Sequence, residues 1–166
     1  MEVRSVKLVI ETLNRAGVRY LIAGGLAVNA HGYMRATNDL DLFIALETTN
    51  IVTAMRALAV IGYHPKAPIT PEQFADGELR ESWIRDKGMV VLQLWSDVHP
   101  RTPIDIFVAE PFPFAEEAAR ASHQEVHPGV PAPFVSLKTL LAMKQAAGRD
   151  IDLLDINRLR KLHPDA

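Results

Sequence analysis

The stretch "RATNDLDLFI", Arg35 to Ile44, sets two aspartates, Asp39 and Asp41, one residue apart at the start of an apolar run. An ionised carboxylate costs roughly several kcal/mol to bury unless it is paired, hydrogen-bonded or bound to a metal. If the run is a strand, alternation places Thr37, Asp39, Asp41 and Phe43 on one face and Leu40, Leu42 and Ile44 on the other. The two aspartate Cα atoms then stand about 6.6 Å apart, at about 3.3 Å rise per residue. Carboxylates so placed suit a pair of divalent cations about 3.5–4 Å apart. The segment "DLFIA" at Asp41 to Ala45 has an echo in "DIFVA" at Asp105 to Ala109. If the two strands lie side by side, Asp39, Asp41 and Asp105 converge on one end of a sheet, and three carboxylates in an apolar setting call for divalent metal. A bare Asp-x-Asp is common in solvated turns; the aliphatic neighbours and the third strand aspartate give this one weight.

Upstream, "LIAGGLAVNAHG" places Gly24 and Gly25 at a strand-to-helix turn, where missing side chains let backbone N–H groups approach a phosphate. Arg35, between this turn and the aspartates, is within reach of a triphosphate, or else forms a surface salt bridge. In the helix expected after Ser136, Lys144 follows Leu137, Leu140 and Leu141 by seven, four and three residues and shares their apolar stripe. An inward lysine needs a partner, and Asp152 or Asp155 would serve; the plain alternative is a packed stem with its ammonium in water. Lys138 lies off the stripe and is expected in solvent. His123 and His127 in "HQEVH" lack the H-E-x-x-H order of a zinc helix. His31 borders the cleft or caps a short helix, Trp83 and Trp95 are expected to pack, and "FAEEAA" reads as an exposed helix face.

The elements that must carry these residues follow from periodicity. Val6, Val9, Ile10 and Leu13 predict a helix over about 3–16, ended by Gly17. "RYLIAGG" predicts a strand leading into a helix from about Leu26, followed by a strand at 39–45, a helix at 48–60 and a weak strand near "GYHP". "TPEQFADGELRESWIRDKG" reads as a surface helix on a loop. "MVVLQLWS" and "PIDIFVA" read as strands joined by the turn "DVHPRT", and Phe114–Ala121 as a helix. An extended segment runs through "EVHPGVPAPFV", and Ser136 to Leu162 is helical with a break at Gly148. The sum is an α/β (α+β) fold, a mixed β-sheet flanked by helices, in one domain over 1–166, with a core over about 1–110 and a C-terminal helical part over 111–166.

Composition bounds the rest. The chain has 166 residues, 48% of them hydrophobic, with 18 basic and 20 acidic residues and a net charge of -2. No global basic field points to nucleic acid or an anionic membrane. With no cysteine, disulfides and thiolate zinc sites are excluded, and a reducing cytoplasm fits. No apolar run reaches about 18 residues, so no signal peptide and no membrane association are expected.

Together, "AGGLAVNAHGYMRATNDLDLFI" and "PIDIFVA" resemble the nucleotidyltransferase superfamily built on the DNA polymerase beta core, and more narrowly its small members from toxin–antitoxin and abortive-infection loci. The superfamily pattern is a glycine pair, a helix, Asp-x-Asp and a later strand aspartate. Here these are Gly24 and Gly25, Asp39 and Asp41, and Asp105; Gly25 stands where many members have serine. "LLAMKQAAGRDIDLLDINRL" also resembles a helix pair of the small members. The resemblance implies that Asp39, Asp41 and Asp105 are catalytic and hold two Mg²⁺ ions, with Mn²⁺ an alternative. It implies that Gly24, Gly25, Arg35, Thr37 and Lys144 bind the nucleotide. The implied reaction is transfer of a nucleoside monophosphate from an NTP to an acceptor hydroxyl, on a tRNA, a protein or a small molecule. Two other classes stand beside it. One is an antitoxin-like partner of another protein that keeps the cleft. The other is a haloacid-dehalogenase-type hydrolase, disfavoured because polar "RATN" precedes Asp39 and no threonine follows Asp41 by two.

Overall fold

A computed structural model describes residues 1–165. Helix α1 (Val3–Arg15) buries Val6, Val9, Ile10 and Leu13, the stripe its 3.6-residue period dictates. It leads through Gly17 into β1 (Tyr20–Ile22), a short strand buried along its whole length. Helix α2 (Gly24–Ala30) begins at the first glycine, two residues before the expected start at Leu26. Next come β2 (Leu40–Ile44), α3 (Thr48–Val60) and the two-residue edge strand β3 (His64–Pro65).

The segment expected as one surface helix is two, α4 (Pro71–Ala75) and α5 (Gly77–Lys87). Asp76 sits between them, and its Oδ1 accepts from the N–H groups of Glu78 at 2.9 Å and Leu79 at 3.2 Å, starting a new helix at a new angle. Phe74 and Arg80 are buried, so this pair belongs to the packed body. Strands β4 (Val91–Trp95) and β5 (Ile104–Phe107) follow as expected, then α6 (Phe114–Arg120). The extended segment is a hairpin of β6 (Ser122–His127) and β7 (Val130–Phe134), turned at Gly129. The C-terminal part is therefore not purely helical; it supplies two strands before α7 (Leu137–Ala147) and α8 (Asp150–Leu162).

All strands join one mixed sheet of seven, ordered β3-β4-β5-β2-β1-β7-β6. Strand β2 pairs parallel with β5 in a register that sets Asp41 opposite Asp105, and β4 pairs antiparallel with β5 so that Gln93 also faces Asp105. Leu40, Leu42, Leu92, Leu94, Ile104 and Ile106 point to the other face and are buried. Each such side chain contributes about 1.5–3 kcal/mol, which holds the aspartate-bearing strands in register.

One further expectation fails in the "FAEEAA" helix. Glu117 is fully buried. Its carboxylate accepts from the Ser136 N–H at 2.6 Å and from the Thr139 hydroxyl at 2.7 Å, fastening α6 to the start of α7. Burial pushes its carboxyl up, but the bonds from Thr139, Ser136 and Arg120 outweigh it and leave the pKa below the ordinary value. No helix among the described residues is long and apolar enough to cross a membrane.

Candidate active site

Asp39, Asp41 and Asp105 each offer a carboxylate oxygen, and these oxygens all lie within 4.8 Å of one another. None of the three forms an ion pair with a lysine or arginine among the described residues. Burial, reinforced by the charges of Asp39 and Asp105, pushes the Asp41 carboxyl up to about 6, against a hydrogen bond from the Gly25 N–H and the field of Lys144. Asp105 is also raised, by burial first and by Asp39, while Gln93 and Lys66 oppose the shift. Three half-buried carboxylates at this separation repel one another, and a divalent cation between them would remove that repulsion. The donor set fits a hard cation, all oxygen and all carboxylate.

The glycine pair shapes this group directly. Gly24 has φ +59, and a Cβ there would fall 1.7 Å from Asp41 Oδ2. Only glycine tolerates both the left-handed backbone and the carboxylate lying against it. A Cβ on Gly25 would fall 2.4 Å from Thr37 Oγ1, so the second glycine makes room for Thr37. Thr37 in turn sits 3.4 Å from Asp39 Oδ1. Asp41 and Thr37 thus occupy the space that side chains on the glycine turn would fill.

Arg35 and Lys144 form a second charged group beside the first. Arg35 reaches Asp155 in a bidentate pair, Nε to Oδ1 at 2.7 Å and Nη2 to Oδ2 at 2.8 Å. Lys144 is 5% exposed and donates to Asp155 Oδ2 at 2.7 Å and to Asp152 Oδ1 at 3.0 Å. Both partners proposed for Lys144 are therefore engaged, and Arg35 holds a buried aspartate. Arg149, which the sequence did not single out, completes the group through Asp152 at 2.7 Å while its side chain stays 71% exposed. Its pKa is raised by the bond to Asp152 and further by Asp41 and Asp39, so its guanidinium stands within their field.

Two more residues went unnoticed. Gln93 donates from Nε2 to Asp105 Oδ1 at 3.0 Å, fixing one carboxylate oxygen and leaving the other for a ligand. Lys66 lies beside it, its backbone N–H bonded to the Gln93 carbonyl at 2.9 Å. A signal existed for Gln93, the one polar residue alternating inside "VLQLW"; none existed for Lys66. His123 and His127 lie on β6, away from the carboxylates, and bond only to nearby carbonyls.

This chain has a mixed seven-stranded sheet flanked by helices, a fold that it shares with solved nucleotidyltransferases. Among solved structures it is similar to the lincosamide antibiotic adenylyltransferase LnuA bound to lincomycin, with 14% identity, a TM-score of 0.63 and 96% of each chain covered. It is similar to ANT(2")-Ia in complex with adenylyl-2"-tobramycin, with 12% identity and a TM-score of 0.59, over 96% of this chain and 87% of that one. An antigenic nucleotidyltransferase-like protein from Paracoccidioides brasiliensis matches at 16% identity and a TM-score of 0.60, over 96% of this chain and 75% of that one. No family model and no curated protein sequence matches the chain.

Proposed function

We propose that the chain is a metal-dependent nucleotidyltransferase that moves a nucleoside monophosphate from an NTP to an acceptor hydroxyl. The observation that carries this reading is the carboxylate triad, three aspartates each with an oxygen within 4.8 Å of the others and, among the described residues, no lysine or arginine paired to them. A purely binding role, as for an antitoxin-like partner, would give no reason to keep such a costly arrangement. Asp39, Asp41 and Asp105 would hold Mg²⁺ or Mn²⁺, which when bound would neutralise the triphosphate and acidify the acceptor hydroxyl.

In that reaction the acceptor oxygen bonds to the α-phosphorus, the bond from the α-phosphorus to its leaving oxygen breaks, and pyrophosphate departs. Asp105, one of whose oxygens is held by Gln93, would use the second either to ligate the metal or to take the hydroxyl proton. Gly24, Gly25 and Thr37 would set the position of Asp41 and Asp39 on the donor side, the glycines by leaving room for Asp41 and Thr37. Arg35 and Lys144 contribute positive field from within their pairs with Asp155 and Asp152, and Arg149 carries an exposed guanidinium towards the same phosphates.

A thermal-shift titration with ATP, GTP, CTP and UTP, each with and without magnesium, tests this. A triphosphate at about 100 times its dissociation constant adds about 2.7 kcal/mol. The expected result is a magnesium-dependent rise with at least one NTP that disappears in the Asp39→Ala/Asp41→Ala double variant. A folded wild-type protein that shifts with none of the four overturns the proposal.

A further inference from the structure

The face of the sheet that carries Asp41 and Asp105 continues past the triad. Gln93 of β4 stands opposite Asp105, and Lys66 follows opposite Gln93, next to the edge strand β3. One residue row across the sheet therefore reads Asp41, Asp105, Gln93, Lys66. Two residues along β4, on the same face, stands Trp95, with His64 of β3 as its cross-strand partner. Trp95 is 39% exposed, contrary to the packing expected of it. His64 and Lys66 are also exposed. An open sheet face with an indole, an imidazole and an ammonium thus begins at Asp105. Lys66 is close enough for its charge to oppose the upward shift of Asp105.

Resting on the nucleotidyltransferase reading, we infer that this face seats the acceptor, and that the acceptor is an anion with a planar ring, stacked on Trp95 and paired with Lys66, its hydroxyl directed at Asp105. The chemistry follows from the residues present. An exposed aromatic beside a cation is the combination that holds a base and its phosphate, and stacking a base on an aromatic side chain is insensitive to which base it is. A polycationic acceptor, the kind ANT(2")-Ia carries as adenylyl-2"-tobramycin, meets Lys66 as a like charge and gains nothing from it. The edge strand supplies these groups without disturbing the core, because Tyr63 and Leu94 on the alternate face stay buried.

The test is equilibrium dialysis in EDTA, so that metal-dependent triphosphate binding does not contribute. The probes are CMP, a dinucleotide with a free 3′ hydroxyl, and tobramycin. CMP is expected to bind the wild type, and to lose about tenfold in affinity in Trp95→Ala through the lost stacking. Lys66→Gln should lose a comparable factor, and its effect should shrink as salt is raised. Lys66 is exposed, so that variant tests the face even if Trp95→Ala perturbs folding. Tighter binding of the dinucleotide than of CMP assigns the acceptor to a strand end; equal binding assigns it to a free small molecule. No binding of CMP, unchanged affinity in both variants, or preferential binding of tobramycin overturns the inference. Because the NTP and magnesium titration does not involve Trp95 or Lys66, it stands or falls separately.

Discussion

Two groups of aspartates lie side by side in this protein, and the chain compensates only one of them. Asp152 and Asp155, both essentially buried, are bonded by Lys144, Arg35 and Arg149 at 2.7–3.0 Å. Burial pushes Asp152 up, but the bonds from Arg149 and Lys144 win and draw it down to about 2. Asp41, driven first by burial and then by the carboxylates beside it, goes the other way to about 6. No buried side-chain polar atom among the described residues lacks a hydrogen-bond partner, so the difference is one of charge rather than of unmet bonds. The compensated group explains itself as a strut that ties α7 and α8 to the segment carrying Arg35. The triad has no such internal explanation, and an external cation supplies one.

The largest effect that separates the two groups is on stability. Asp155→Ala leaves Arg35 and Lys144 without their shared carboxylate, and breaking a buried pair in this way costs about 3–5 kcal/mol. Asp41→Asn removes a repelled charge and is expected to leave metal-free stability unchanged or raise it. Urea unfolding of both variants in EDTA checks this, and equal destabilisation by the two would erase the distinction. Next in size is the response to metal. Magnesium or manganese at about 100 times its dissociation constant should add about 2.7 kcal/mol to the wild type, nothing to Asp41→Asn, and its full increment to an Asp155→Asn variant that remains folded.

How much of this was legible in the sequence depended on distance along the chain. The triad could be read because a carboxylate inside an aliphatic run is conspicuous, and the repeated "DLFIA" and "DIFVA" marked two strands that do lie parallel with Asp41 opposite Asp105. Lys144 could be read as inward from its apolar stripe, and Asp152 and Asp155 are near enough in sequence to be named as partners. Arg35 could not be assigned, because its partner Asp155 lies 120 residues away and only the packing of α8 brings them together. The β6–β7 hairpin was hidden by Pro128, Pro131 and Pro133, residues that argue against a strand unless its pairing is known. Glu117 looked solvated because two of its partners, Ser136 and Thr139, belong to a segment whose approach no local pattern announces.

Acidification should move the two groups in opposite directions. The Asp41 pKa is about 6 in the folded chain against an ordinary 3.8, so its contribution to stability is full below 3.8 and is lost as pH rises through about 6. The metal-free protein is therefore expected to gain stability from this group as pH falls from neutral towards about 4. Asp152, held near 2, contributes above 3.8 and loses that contribution as pH falls through about 2. Melting temperatures in EDTA, taken as the difference between wild type and Asp41→Asn, isolate the first slope. A difference that does not change between pH 7 and 5 would mean that burial and the neighbouring carboxylates together do not raise Asp41.

The smallest effect on stability is expected at Arg149, the one cation of the compensated group that faces water. Its side chain is 71% exposed, and exposed ion pairs contribute about 0–1 kcal/mol. Arg149→Gln should therefore unfold almost as the wild type does, since Lys144 still holds Asp152. Yet this guanidinium lies within the field of Asp39 and Asp41, where the phosphates of a bound NTP would carry charge of the opposite sign to its own. A charged hydrogen bond of about 1.5–3 kcal/mol lost on that side would weaken NTP binding by more than tenfold while leaving the melting curve of the free protein in place. If Arg149→Gln instead lowers stability and leaves the NTP affinity unchanged, Arg149 belongs wholly to the strut, and the boundary between the two groups falls between it and Asp41.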